Sequence, residues 1–586
     1  MTTAAAVPRH ARDHGTWLWP ALLCVAFVGI RVWGLNQVYF HDEYAWAVTV
    51  DRANWRLGHG AVSHPPLGEL LYALVTWLVG GARLRLVPLT FSVVNLLLVY
   101  RLTHQLYGVA AARWAAVLFT LSVYSVIASL QIDLDGAIIQ TFALLAFLAA
   151  VKLAASERRA RWRLVLVVAC GLGFLTKLTF GLVLLAIVAD WLLETGVQRQ
   201  VLGSILRVSV LSAAAALAIF VLGGFLVVLE TLSALTIARP LDYAAEFLRD
   251  RFLNFATRDY AGMLVGLTKT LLLISPWGLL ALLGLRDVRR YRLLALYLGV
   301  SLAFYLVAFD FSQRPLERYL MFALVPLAIM AGDVLAQRLR ALSAREWRAL
   351  AVAAVGGAAL ALALALLDHR ILALEHAQTA PSKLTYLAET VRGRWDFLIV
   401  FTGGSGPLGF YVSALVIILA WLAALVAVAA SSHARRGARW QRGAVAALLV
   451  VGAVYNAMFI EEYLGGLING NASALTRRAV GRALASPEVR AVMTYNDAGA
   501  YELRGGGKYV TGFLLETGYE GPIPKRLELF RGHVLVVEMP PLARQSERWR
   551  YLSRQCRSQW ELQSKRIPAH FFDCRDVLAG SPERSG

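Results

Sequence analysis

The chain has 586 residues, 58% of them hydrophobic and 16% charged, with a formal net charge of +20. A soluble core of that length does not need so much apolar surface, which points to a polytopic membrane protein. The positive charge does not signal nucleic acid, because most arginines sit in short clusters between apolar runs, the pattern that sets membrane topology.

A helix needs about 20 apolar residues to cross the hydrocarbon layer. On that rule spans are expected near 17–34, 86–106, 109–130, 135–153, 163–177, 179–195, 208–229, 262–284, 293–310, 319–336, 349–367, 408–430 and 443–460, about thirteen in all. No small-x-small cleavage site follows the first of them, which reads as an uncleaved span. The segment 67–80, LGELLYALVTWLVG, is too short to cross and is expected to lie on the outer surface as an interfacial helix.

Charge supports this register. With the N-terminus inside, the arginine clusters at 158–163, 286–292, 338–348 and 435–442 all fall on the inner side. Asp42, Asp133, Asp135, Lys177, Arg318 and the 230–261 loop then face outward.

Past about residue 464 the composition changes. Ala472–Ala485 reads as a helix, and Val489–Tyr495 and His533–Met539 as short buried strands. The expected fold class is an all-α polytopic membrane protein over 1–463, with a first outer loop at about 35–82. A soluble, extracytoplasmic α/β domain follows at 464–586, roughly 120 residues and ordinary for a domain. Cys24 and Cys170 lie in apolar runs and read as buried small hydrophobes. Cys556 and Cys574 can pair as a disulfide if their tail is in an oxidising compartment.

The chemistry concentrates in the first outer loop, YFHDEYAWAVTVDRANWRLGHGAVSHPPL. Asp42 and Glu43 stand among Tyr39, Phe40, Tyr44 and Trp46 at the exit of a span, where acidic groups are costly unless used. A carboxylate there suits the task of taking a proton from an acceptor in group transfer to or from a sugar. His64 precedes Pro65-Pro66, which either fix the histidine at a set angle or simply open the next helix. Asp133 and Asp135 share a tight outer turn. Asp135 is favoured as a helix N-cap, but the residues do not decide which of the two is functional.

Cations gather on the same side: Lys177, then Arg249, Arg251 and Arg258, then Arg318 beside Tyr319. Singly each reads as a side chain snorkelling to the headgroups. Together they suit a lipid-linked phosphate at the membrane face.

The ordered set HDEYA at 41–45, HPPLGELLYAL at 64–74, the run at 82–108, DLD at 133–135, GLGFLTK at 171–177 and ERYLMFALVPLAIMAG at 317–332 resembles the GT-C superfamily of membrane glycosyltransferases. The likeness is to the branch of the protein O-mannosyltransferases and lipid A aminoarabinose transferases, and it covers most of 17–336. It implies a polyprenyl-phosphate-linked sugar donor and direct, inverting transfer to a lipid or cell-envelope glycan. Asp42 would be the general base and Glu43 would hold its loop. Asp133 or Asp135 would position a substrate, and Lys177 and Arg318 would hold the donor phosphate. His64, Arg251, Arg258 and Tyr319 join them as candidate substrate-binding residues.

Ser63-His64 departs from the aminoarabinose transferases, which have lysine before Pro-Pro-Leu, and this puts the same acceptor in doubt. No cofactor is called for, and a divalent metal is compatible with the residues. The expected location is the inner membrane, with the N-terminus cytoplasmic. The competing reading is a lipid-linked sugar transporter without transferase chemistry. Against it, the acids cluster at one face and no two halves resemble each other.

Overall fold

The computed structural model describes residues 18–51, 65–155, 159–193, isolated positions between 203 and 274, then 275–284, 287–308, 317–340, 342–372, 380–401, 409–433, 437–513, 525–542, 544 and 546–576. The expected span at 208–229 lies largely outside the described residues, and of that at 262–284 the structure describes 275–284 and three isolated positions.

Apolar runs become helices in chain order: α1 (Leu18–Arg31), α2 (Asp42–Thr49), α3 (Leu67–Val79), α4 (Leu86–Tyr107), α5 (Val109–Leu121), α6 (Val123–Leu130), α7 (Ile138–Ala155), α8 (Arg159–Thr176) and α9 (Gly181–Leu193). After the less described stretch come α10 (Gly278–Gly284), α11 (Arg292–Ala303), α12 (Leu324–Arg338), α13 (Ala344–Ala365), α14 (Ala380–Val391), α15 (Ala414–His433) and α16 (Gly437–Leu464). Among the described residues five helical stretches are long and apolar enough to cross a membrane: 81–107, 318–338, 344–365, 414–431 and 440–464. Shorter apolar helices stand at 19–34, 67–79, 138–153, 178–193 and 292–308. Among the described residues, length and composition alone thus give five spans, or six if the bent pair over 109–130 is one.

The expected single span at 109–130 is broken. α5 and α6 meet at Ser122 with a bend of 64°, and a side chain inserts at the break. Val123 N donates to Asn456 Oδ1 at 2.8 Å, and Asn456 Nδ2 donates to Ser275 Oγ at 2.7 Å. Such replacement of a lost helical partner is a usual cause of a kink.

α1 is fastened to this bend by the fully buried Arg31. Its guanidinium donates to Ser129 Oγ (2.8 Å), Ser125 Oγ (3.0 Å) and the Phe27 and Thr120 carbonyls (2.9 and 3.1 Å). Below α6 the chain leaves helical form over 131–137 before α7 starts, and that buried turn carries Asp133 and Asp135. α5 also packs closely on α12, where a side chain at Gly332 would meet the Ala115 backbone.

α3 buries Gly68, Glu69, Tyr72, Ala73 and Thr76 and exposes Leu70, Leu74, Trp77 and Leu78. One face packs on protein and the other is apolar.

The expected span at 408–430 opens with a strand. β1 (Arg370–Ile371), β2 (Phe397–Phe401) and β3 (Phe410–Ser413) form a small sheet, β1 parallel and β3 antiparallel to β2. The helix follows only from Ala414.

The C-terminal part forms a five-stranded sheet from β4 (Ala491–Tyr495), β5 (Tyr509–Phe513), β6 (His533–Val537), β7 (Arg557–Ser564) and β8 (Ile567–Asp573). Its order is β5-β4-β6-β8-β7, with β5, β4 and β6 parallel and β8 antiparallel to both its neighbours. Helices α17 (Ala472–Ala485), α18 (Ala500–Gly505), α19 (Lys525–Leu529) and α20 (Glu547–Gln555) accompany it. α17 has the expected bounds and is capped by Asn471, whose side chain accepts from Ala474 N at 2.8 Å. Cys556 and Cys574 are joined as a disulfide.

The core of this unit is not closed at residue 464. Val38 and Phe40 from the segment between α1 and α2, and Leu398, Val400 and Tyr411 from the small sheet, are buried with Leu475, Val492, Leu535 and Phe571. The C-terminal unit thus rests directly on the segment that leads into Asp42.

Candidate active site

Four segments converge on Asp42: the start of α2, the 131–137 turn, the α8–α9 junction at Lys177, and the turn 317–323 before α12. The backbone at His41 is left-handed (φ 45°, ψ −113°), so the chain reverses sharply and α2 begins at Asp42. His41 Nδ1 lies 2.9 Å from Asp42 Oδ1, and Arg318 Nη1 donates to Asp42 Oδ2 at 3.0 Å. A carboxylate only accepts, so Nδ1 is the protonated nitrogen of His41 wherever Asp42 is ionised. Burial pushes the Asp42 carboxyl upward, but the His41 hydrogen bond and the Arg318 charge outweigh it. The net effect is a pKa below the usual aspartate value.

The same Arg318 nitrogen lies 3.4 Å from Asp133 Oδ2, while Asp133 Oδ1 accepts from Leu134 N at 2.6 Å. Tyr72 OH donates to the Asp133 carbonyl at 2.9 Å and ties α3 to the turn. Asp135 does not cap a helix: α7 begins at Ile138, and both Asp135 carboxylate oxygens receive Lys177 Nζ, at 2.7 and 2.5 Å. Lys177 Nζ and Arg318 Cζ lie 4.9 and 5.0 Å from the centre of the Tyr319 ring. Lys177 and Arg318 are thus each paired with carboxylates, as buried charge requires.

Glu43 has a different environment from its neighbour. It is wholly buried, and both its oxygens accept from Arg85, each at 2.6 Å. Arg85 also donates to the carbonyls of Val38 (3.0 Å) and Leu130, and Glu43 Oε1 accepts from Ile132 N at 3.1 Å. This pair links the segment between α1 and α3, the start of α4 and the 131–137 turn. Glu43 anchors the loop and is not free to exchange protons with a substrate.

Arg258 is buried and donates to the Val307 and Ala308 carbonyls, the latter at 3.0 Å, at the turn that ends the α11 segment. His64, Arg249 and Arg251 lie outside the described residues. Sequence reading did not single out Arg85, or His41 as the partner of Asp42, or Asp497, whose carboxyl feels the charges of both His41 and Asp42. The signal available for Arg85 was a charge at the start of an apolar run, which is costly unless paired.

A cavity of about 20 Å³, room for about one water, is lined by Asp135, Gln140, Thr179, Ser301, Arg318 and Tyr319. Among the described residues no group of three or more His, Cys, Asp or Glu is placed to hold a metal ion. The site carboxylates face cations instead, an arrangement that does not fit a divalent ion.

Residues 63–223 match the family model described as dolichyl-phosphate-mannose-protein mannosyltransferase. Among solved structures, ArnT from Cupriavidus metallidurans bound to undecaprenyl phosphate is 16% identical, with a TM-score of 0.54 over 98% of this chain and 100% of that one. The same protein in its apo state gives 16% identity and a TM-score of 0.53 over 96% of this chain and 99% of that one. The chain has the GT-C fold. No curated protein matches it in sequence. At 16% identity the likeness to ArnT is one of fold. The match to the mannosyltransferase family model is confined to residues 63–223, and five described helical stretches are long and apolar enough to cross a membrane. The convergence of Asp42, Asp133, Asp135, Lys177 and Arg318 belongs to this chain's own geometry.

Proposed function

We propose that this chain transfers a sugar from a polyprenyl-phosphate donor to a hydroxyl of a lipid or cell-envelope glycan, at the outer face of the inner membrane, with inversion. The N-terminus would be cytoplasmic, residues 1–463 would form the membrane domain and 464–586 an extracytoplasmic domain. The observation that carries this reading is Asp42: a partly exposed carboxylate, held ionised between His41 and Arg318, beside a second ion pair, Asp135–Lys177. The ArnT structure of the same fold contains undecaprenyl phosphate, which supports a donor of this type.

In this mechanism Asp42 accepts the proton of the acceptor hydroxyl as its oxygen attacks the anomeric carbon. The bond from that carbon to the phosphate oxygen breaks, and the lipid leaves as a phosphate monoester with one more negative charge. Arg318 and Lys177 are suited to stabilise that charge as it develops. The cavity beside them holds about one water, and both cations are occupied by carboxylates. Donor phosphate therefore has to draw Arg318 away from Asp42. Losing that cation strengthens Asp42 as a base, so donor binding itself would activate the proton acceptor.

The test incubates purified wild type and Asp42→Asn with radiolabelled polyprenyl-phosphate sugars and a cell-envelope lipid extract. Label moving to a new product with wild type alone is expected. Equal transfer by Asp42→Asn removes the base assignment. Tight donor binding by both forms without turnover of any donor points to the transporter.

A further inference from the structure

The helices of the membrane part enclose a second polar pocket, far from Asp42. The apolar stretches 318–338, 414–431 and 440–464 end or begin there, at Arg338, Ser431 and Trp440. The first of them, 21 residues long, carries Arg318 at its other end, and a helix of that length spans about 30 Å. The pocket thus lies at the membrane surface opposite to the candidate active site. Its volume is about 150 Å³, room for about ten waters, and it is lined by Asp287, Arg290, Gln337, Arg338, Ser431 and Gln441.

The two arginines are set in different ways. Asp333 on α12 is buried and accepts from Arg290 Nε (2.7 Å) and Nη2 (3.0 Å), from Tyr291 OH (2.6 Å) and from Gln337 Nε2 (2.7 Å). The Tyr107 ring centre lies 5.2 Å from Arg290 Cζ. Arg290 is therefore fixed in direction, and among the described residues its Nη1 has no hydrogen-bond partner. Arg338 meets no carboxylate among the described residues; its Nη1 donates to the neutral Gln441 Oε1 at 2.7 Å. Its charge is left uncompensated beside the pocket. Asp287 also lines the pocket, and its carboxylate accepts from Arg290 N at 3.3 Å. It does not decide the local field, because segments 286–292, 333–348 and 435–442 hold twelve arginines against three acids.

We propose that this pocket binds the phosphodiester headgroup of an anionic phospholipid, with Arg338 and Arg290 on the phosphate oxygens and Asp287 on the headgroup hydroxyls. A guanidinium matches phosphate geometry with two parallel donors, and a carboxylate accepts from hydroxyls. Position argues for a lipid. Three span ends put the pocket at the level of the headgroups, and the exposed Trp440 beside Gln441 is of the type that settles at that interface. Basic pockets between helix ends at such a surface suit anionic headgroups. Charge argues against a zwitterionic lipid, whose ammonium group would enter a field of arginines.

The test is native mass spectrometry of the full chain in an uncharged detergent. It is titrated separately with dioleoyl phosphatidylglycerol, dioleoyl phosphatidylcholine and glycerol 3-phosphate. Wild type is expected to bind phosphatidylglycerol about tenfold more tightly than phosphatidylcholine. Arg338→Gln should lose about tenfold in affinity for phosphatidylglycerol, the factor for one hydrogen bond from a charged group. Gln441→Glu should lose as much, because it gives Arg338 a carboxylate of its own. It adds an ion pair and removes none, so its melting temperature without lipid should not fall. Arg340→Gln is the control: it removes the same charge two residues further on, outside the pocket lining, and should stay within about twofold.

Equal affinity for the two lipids, or an unchanged affinity in Arg338→Gln, overturns the proposal. So does an equal loss in Arg340→Gln, which would reduce the effect to a diffuse field over that surface. Arg338-dependent binding of glycerol 3-phosphate without binding of the lipid would make the occupant a soluble phosphate ester, and it too overturns the lipid assignment.

Discussion

Arg85 grips Glu43 with both terminal nitrogens, each 2.6 Å from a carboxylate oxygen, and neither residue meets solvent. The pair holds the loop of Asp42 to α4 and to the turn of Asp133, so two residues adjacent in sequence, Asp42 and Glu43, have opposite tasks. One is kept partly open between His41 and Arg318, and the other is sealed beneath it.

Removing one partner of that pair leaves a buried charge unmatched. Glu43→Gln and Arg85→Gln should each destabilise the protein by about 3–5 kcal/mol. The double variant Glu43→Gln/Arg85→Gln should recover much of that loss. Thermal unfolding of purified protein measures it, and additive losses in the double variant would show that the two do not act as a pair.

The Asp42 environment gives a sign for pH dependence. Its pKa is lowered, so the ionised base is present above that value and is lost only as pH falls through it. The acid limb of kcat/KM should therefore lie below the ordinary aspartate pKa of about 3.9. His41→Gly keeps the left-handed backbone at φ 45° without strain and removes the hydrogen bond to Asp42. It should shift the acid limb upward. A pH–rate profile of both forms checks this, and coincident limbs would mean that His41 does not hold the Asp42 charge.

Much of this site is legible in the sequence because ionisable groups at the ends of apolar runs are rare and costly. Asp42, Asp133, Asp135, Lys177 and Arg318 stand out for that reason, and the structure brings them together. What hydropathy does not carry is partnership. Asp135 resembles a helix cap until Lys177 is seen to meet it, and Glu43 resembles Asp42 until Arg85 is found beneath it. The bend at Ser122 depends on Asn456, more than 330 residues away, so the stretch 109–130 reads as one span. The strand at Phe410–Ser413 directly adjoins the strongly apolar helix from Ala414 and merges with it in a hydropathy window. An aspartate such as Asp497 in a polar domain is ordinary in itself. Only the docking of that domain on Val38 and Phe40 gives it a neighbour.

The crossing of α5 and α12 offers a test of how far the site depends on the membrane helices behind it. A Cβ at Gly332 would stand 2.5 Å from Ala115 N, a backbone atom that cannot turn aside as a side chain could. Small residues allow such close approach between membrane helices. Gly332→Val should therefore part the two helices and cost about 1–3 kcal/mol, the usual range for overpacking. The turn bearing Arg318 and Tyr319 leads directly into α12. The same variant should thus weaken donor binding as well as lower the melting temperature. Gly356→Val on α13 is the control, since nothing lies within 4 Å of its added Cβ. Melting curves and donor titrations of the two variants, measured side by side, give the answer. Equal behaviour would mean that the close crossing contributes nothing to the placement of Arg318.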